Sequence, residues 1–143
     1  MYLDSTILIK LVVREPDSGF YADLTAGRTD VRSSELAVAE CRSALVRKRQ
    51  EGQLDAATCA RAWERLETMW TGGGLTLDPV TLPVLREAGD LVERCAPKTP
   101  IRTLDAIHLA SCRRARAFPL ITNDRVMCAA AEMLGIPLGP LAG

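Results

Sequence analysis

Four carboxylates in this chain stand where a carboxylate is costly or where ligands gather. Asp105 sits among Leu104, Ala106, Ile107 and Leu109 in RTLDAIHLASCRRA, a run spaced like a helix turned to a core. Glu40 lies within the apolar stripe Leu36, Ala37, Cys41, Ala44 and Leu45 of SELAVAECRSALVRKR. Asp4 ends the short apolar run MYLD, and Asp124 stands just past FPLIT. An acid on a packed surface needs a cation or a hydrogen-bond partner. Singly, each has an ordinary explanation. Asp4 can cap a helix, Asp105 and Asp124 can complement helix dipoles, and Glu40 can be a rim residue or pair with a basic side chain. Jointly they form an all-oxygen donor set drawn from the whole chain. Such sets suit hard divalent cations, Mg²⁺ or Mn²⁺, one or two per site. Without a cation the charges would repel, and some would take up protons.

Bringing these acids together requires particular elements. Residues 1–5 read as a short strand and 7–12 as a helix closed near Pro16. A second short helix covers about 17–27, and a strand is possible at 31–33. A long helix runs from about Ser34 to Gln50, and another from about Asp55 to Trp70, broken by Gly72-Gly73-Gly74. LTLD at 75–78 is a strand candidate, and a helix from about Val80 to Cys95 is weakly interrupted by Pro83. A helix from about Leu104 to Ala115, with Thr103 as its N-cap, precedes the strand FPLIT. The last helix, about Asp124 to Leu134, stops at Gly135 and leads into a final IPL strand. Strands joined by helices predict an α/β fold: a central parallel sheet of about four to five short strands with helices on both faces. Asp4 and Asp124 then fall at the carboxyl ends of strands, where open sheets bind ligands.

Composition narrows the class. At 143 residues the chain is expected to be a single domain over 1–143. No run approaches the roughly 20 apolar residues of a membrane helix, and MYLDSTILIKLVV lacks the basic start of a secretory signal. Five cysteines without a CxxC pair, and a single histidine, argue for reduced thiols in a cytoplasmic protein rather than a zinc site. Formal net charge is zero, which by itself speaks against nucleic-acid binding. The balance turns basic if the four acids are taken up by a cation. Arg47, Lys48 and Arg49 form a basic run that could follow a phosphate backbone. Aromatic residues are scarce, so base stacking is expected to contribute little.

YLDSTILIKL, ELAVAECRSAL, RTLDAIHLAS and LITNDRVMCAAAEMLGIPL, in that order, resemble the successive motifs of PIN-domain ribonucleases, and more narrowly the VapC-type toxins of toxin–antitoxin pairs. The resemblance spans nearly the whole chain and implies a single PIN-like domain. It matches Asp4, Glu40, Asp105 and Asp124 to an acidic quartet holding Mg²⁺ or Mn²⁺, with Ser5 or Thr6 and Thr122 as hydroxyls beside it. It also implies an RNA substrate (tRNA, rRNA or mRNA), a cognate VapB-like antitoxin and a homodimer.

Such a site would run metal-dependent endoribonuclease chemistry, leaving a 5′-phosphate and a 3′-hydroxyl. Asp4 and Asp105 are the expected closest contacts. Competing classes fare less well. A receiver-like Mg²⁺-binding signalling domain needs a lysine after a late strand, and none follows FPLIT. A Ser-His-Asp hydrolase needs an elbow motif that is missing. A catalytically silent PIN-like RNA- or protein-binding module would not need all four acids. His108 is expected to be a packed ring bonded to a neighbouring carboxylate or carbonyl. Apolar residues on several sides of the two long helices, including Val38, Val46, Trp63, Leu66, Met69 and Trp70, could pack in the core or meet a partner.

Overall fold

A computed structural model describes all residues, Met1–Gly143. In chain order the elements are β1 (Tyr2–Leu3), α1 (Ser5–Val12), α2 (Ser18–Thr25), β2 (Arg32–Ser34), α3 (Leu36–Gln50), α4 (Ala56–Thr71), β3 (Thr76–Asp78), α5 (Leu82–Cys95), α6 (Thr103–Ala115), β4 (Leu120–Ile121) and α7 (Arg125–Leu134). The strands form one sheet in the order β3-β2-β1-β4, with every pair parallel. The expected IPL strand is reduced to one parallel bridge, Leu120 to Leu138. Pro137 beside it has no N–H to extend a ladder.

Alternation along the strands separates two cores. Tyr2 and Leu120 face one side of the sheet, where Val84, Ala88, Leu91, Leu109, Ala110 and Met127 of α5, α6 and α7 cover them. Leu3 and Ile121 face the other side, against α1, α3 and α4 through Ile7, Leu8, Cys41, Leu45 and Leu66. Adjacent residues of a two-residue strand thus serve opposite layers, and the sheet edge at their carboxyl ends is left to the loops and helix starts.

Three local expectations are corrected. Pro83 does not interrupt α5. It lies in the helix's first turn, where a missing N–H leaves no bond unmade. Thr103 is the first residue of α6 rather than its cap; Arg102 precedes the helix, and its N–H donates to Asp105 Oδ2 at 3.3 Å. Ser34 closes β2, and its Oγ accepts from Leu36 N–H at 3.2 Å as α3 begins. The apolar residues of α3 and α4 are mostly consumed internally. Leu66 is fully buried and Trp63, Met69 and Trp70 pack on the core, while Val46 remains exposed. The cysteines are all free thiols, and no helix is long and apolar enough to cross a membrane.

Candidate active site

The site begins with Asp4, the residue that turns β1 into α1. Its backbone is extended, and Oδ1 accepts from Ile7 N–H at 3.0 Å, capping the helix. The same oxygen accepts from Thr6 Oγ1 at 2.7 Å, and Oδ2 accepts from Thr122 Oγ1 at 2.6 Å. The carboxylate is only 2% exposed. Burial pushes its pKa above the usual carboxylate range; the Thr122, Thr6 and Ile7 hydrogen bonds pull the other way. Of the two hydroxyls expected after Asp4, Thr6 is the one that bonds the carboxylate. Ser5 contributes its carbonyl, to Cys41 Sγ.

Thr122 ties a second acid to the first. It follows β4, the strand beside β1, and its Oγ1 also accepts from Asp124 N–H at 3.1 Å. Asp124 caps α7 through Oδ1, which accepts from Met127 N–H at 2.9 Å. The helix-end explanations of Asp4 and Asp124 therefore both hold. Capping occupies Oδ1 of each and leaves Asp124 Oδ2 unclaimed.

Asp105, in the first turn of α6, is half-buried. Burial raises its pKa, its bond from the Arg102 N–H opposes that, and the Asp124 charge raises it further. These two acids therefore feel one another across the gap between α6 and α7. Glu40 projects from α3 toward α6, where His108 Nε2 meets Oε1 at 2.5 Å. The Cys41 thiol reports on the intervening space: burial, then the charges of Glu40 and Asp4, push its pKa up to about 12. Asp4 and Asp124 stand together at the carboxyl edge of the sheet, tied through Thr122, while Asp105 comes from the first turn of α6 and Glu40 from α3. They are not a ready-made ion cage, because no three His, Cys, Asp or Glu side chains are grouped tightly enough to hold one ion. Glu40 leans on His108.

An oxygen-only donor set with two acids held above their ordinary pKa is the kind a hard divalent cation satisfies. Asp4 offers a carboxylate oriented by three hydrogen bonds. The basic run lies apart from this edge. Arg47, Lys48 and Arg49 occupy the last turn of α3, about 10–13 Å along the helix from Glu40. Lys48 pairs with Glu15 at 2.9 Å, whereas Arg47 and Arg49 are exposed. A groove of about 520 Å³ lies between α5 and α6 and is lined by Arg86, Arg94, Arg113 and Arg114 with Glu87 and Asp90.

Two participants leave almost no trace in the sequence. Tyr2 bonds His108 Nδ1 at 2.8 Å through its hydroxyl. Asn123, between Thr122 and Asp124, accepts from the Tyr21 hydroxyl and donates to Asp17 at 3.2 Å, pinning the β4–α7 turn to α2. The only advance sign of Asn123 is its place between two suspected residues.

The PIN domain family model matches residues 1–133. A curated relative, Ribonuclease VapC46 of Mycobacterium tuberculosis (strain ATCC 25618 / H37Rv), is 36% identical over 138 residues, covering 95% of this chain and 93% of that protein.

Proposed function

The chain belongs to the PIN domain family, and we propose that it is an endoribonuclease of the VapC type, the toxin of a toxin–antitoxin pair. One observation carries the reading. A buried carboxylate, Asp4, is bonded by Thr122 at the carboxyl end of two adjacent parallel strands, and the same hydroxyl accepts from the Asp124 N–H. Helix ends account for Asp4, Asp124 and Asp105 singly and the His108 ring for Glu40; a divalent cation gives the four acids one common purpose.

Asp4, Glu40, Asp105 and Asp124 would hold Mg²⁺ or Mn²⁺, one or two ions, with Asp4 and Asp105 in closest contact. Such an ion, when bound, supplies Lewis acidity toward the phosphodiester and lowers the pKa of the attacking water. The protein's own part is positional. Thr6, Ile7 N–H and Thr122 hold Asp4 in a single orientation, so little reorganisation accompanies the reaction. Asp124 is presented by its helix cap, and Asp105 by its bond from the Arg102 N–H. Exposed Arg47 and Arg49 at the end of α3 are candidates for more distant phosphate contacts. The 2′-hydroxyl has no assigned role as nucleophile. As the resemblance to VapC-type toxins implies, a VapB-like antitoxin would block this edge, and the active form would be a homodimer.

The test is end-labelled RNA incubated with the purified chain. Cleavage should require Mg²⁺ or Mn²⁺, stop in EDTA, leave 5′-phosphate and 3′-hydroxyl ends, and vanish in Asp4→Asn. Cleavage that survives excess EDTA, or that leaves 2′,3′-cyclic phosphates, overturns the assignment.

A further inference from the structure

Glu40 differs from the other three acids in having no backbone N–H or hydroxyl to orient it. Its side chain is 21% exposed on α3, and its partner is the ring of His108 on α6, 2% exposed and 68 residues away. A glutamate at such a position has three free torsions, and ordering it costs rotamer entropy. His108 itself cannot rotate without loss. Its other nitrogen is bonded to the Tyr2 hydroxyl at 2.8 Å, and the two rings pack edge to face with centroids 5.8 Å apart. Tyr2 is completely buried beneath α6.

The directions of these bonds follow from chemistry. A carboxylate oxygen only accepts, so Nε2 carries a hydrogen and donates to Glu40 Oε1. In the singly protonated ring Nδ1 is then an acceptor, and Tyr2 O–H donates to it. Burial keeps Tyr2 a phenol by pushing its pKa well above the ordinary value. The one buried side-chain polar atom without a hydrogen-bond partner, Ser111 Oγ, is one turn further along α6. It lies beside the same phenol, whose oxygen still has acceptor capacity. The chain thus runs Tyr2, His108, Glu40, from the sheet interior to the acidic edge.

We infer that His108, locked by Tyr2, is a positioning residue that holds one Glu40 oxygen and so presents the other to a divalent cation. The inference rests on the reading of the acidic edge as an ion site. Ligating carboxylates are commonly held this way, and removing the holder typically weakens metal affinity by about 10–100-fold.

Mn²⁺ binding to the purified full chain, followed by calorimetry without RNA, tests it. His108→Leu should weaken Mn²⁺ binding by about 10–100-fold, whereas His108→Gln, which keeps an N–H donor, should stay within a few-fold of wild type. Glu40→Gln should weaken binding too, and adding His108→Leu to it should cost nothing more, because the effect passes through Glu40. Tyr2→Phe, which only frees the ring, should weaken binding several-fold and serves if His108→Leu does not fold. Wild-type affinity in a folded His108→Leu or Tyr2→Phe protein overturns the inference, as does an equal loss in the Glu40→Gln background. If wild type binds no Mn²⁺, the ion-site reading fails and this inference with it. If Asp4→Asn abolishes binding while His108→Leu leaves it intact, only this inference fails.

Discussion

Thr122 donates a 2.6 Å hydrogen bond to Asp4 across 118 residues of sequence, joining the turn after β4 to the turn after β1. The same hydroxyl accepts from Asp124 N–H. One small side chain therefore sets the spacing of two acids that the chain delivers independently.

Thr122→Val keeps the shape and removes the hydroxyl. Asp4 Oδ2 is then buried without its donor, and the loss should be about 1–3 kcal/mol of stability, read as a shift in the urea midpoint. RNA cleavage should fall at least as steeply, since Asp4 is no longer held. Unchanged stability would mean that water replaces the hydroxyl.

Asp105 supplies a pH test. Its folded pKa is raised by burial and by Asp124, so the folded state holds that proton more tightly than the unfolded chain. The resulting stabilisation is complete below the ordinary carboxylate value of about 4. It is lost as pH rises through the folded pKa. In EDTA, the melting temperature of Asp105→Asn minus that of wild type should therefore grow more positive from pH 4 to pH 7. Added Mg²⁺ should raise the wild-type melting temperature and leave the variant's nearly still. A difference independent of pH would remove the electrostatic explanation.

Asp124 does two jobs that substitution can separate. Asp124→Asn retains an oxygen for Met127 N–H and should keep stability while losing RNA cleavage. Asp124→Ala loses the cap as well and should cost a further 0.5–2 kcal/mol or so by denaturant unfolding. If Asn cleaves like wild type, the carboxylate serves only as a cap.

Arg47 and Arg49 are exposed at the end of α3, whereas Lys48 is held by Glu15. Binding of single-stranded RNA to the inactive Asp4→Asn protein, measured at several salt concentrations, should weaken when both arginines become alanine. The salt slope should flatten by roughly 0.7 for each phosphate that is no longer neutralised. Replacing Lys48 alone should change it less. Identical slopes would place the RNA path elsewhere on the domain.

Much of the architecture is readable in the sequence because it follows local rules. Alternating apolar strands and helices with clear stops foretell the parallel sheet. Asp4 and Asp124 can be placed at its carboxyl edge because a strand, a turn and a helix start leave little freedom. Pro83 misleads because the same residue breaks a helix interior and favours a first turn, and spacing alone does not place the helix start at Leu82. The last strand fades because pairing needs donors, and Pro137 has none.

The carboxylates themselves, their residue types and their places on elements are set by order along the chain. Their partners are not. Tyr2 meets His108, His108 meets Glu40, and Thr122 meets Asp4 only because α3, α6 and two strands pack against one another. Hydrogen bonds act over about 3 Å and carry no trace in spacing when their ends are 68 to 118 residues apart. Packing had to choose them.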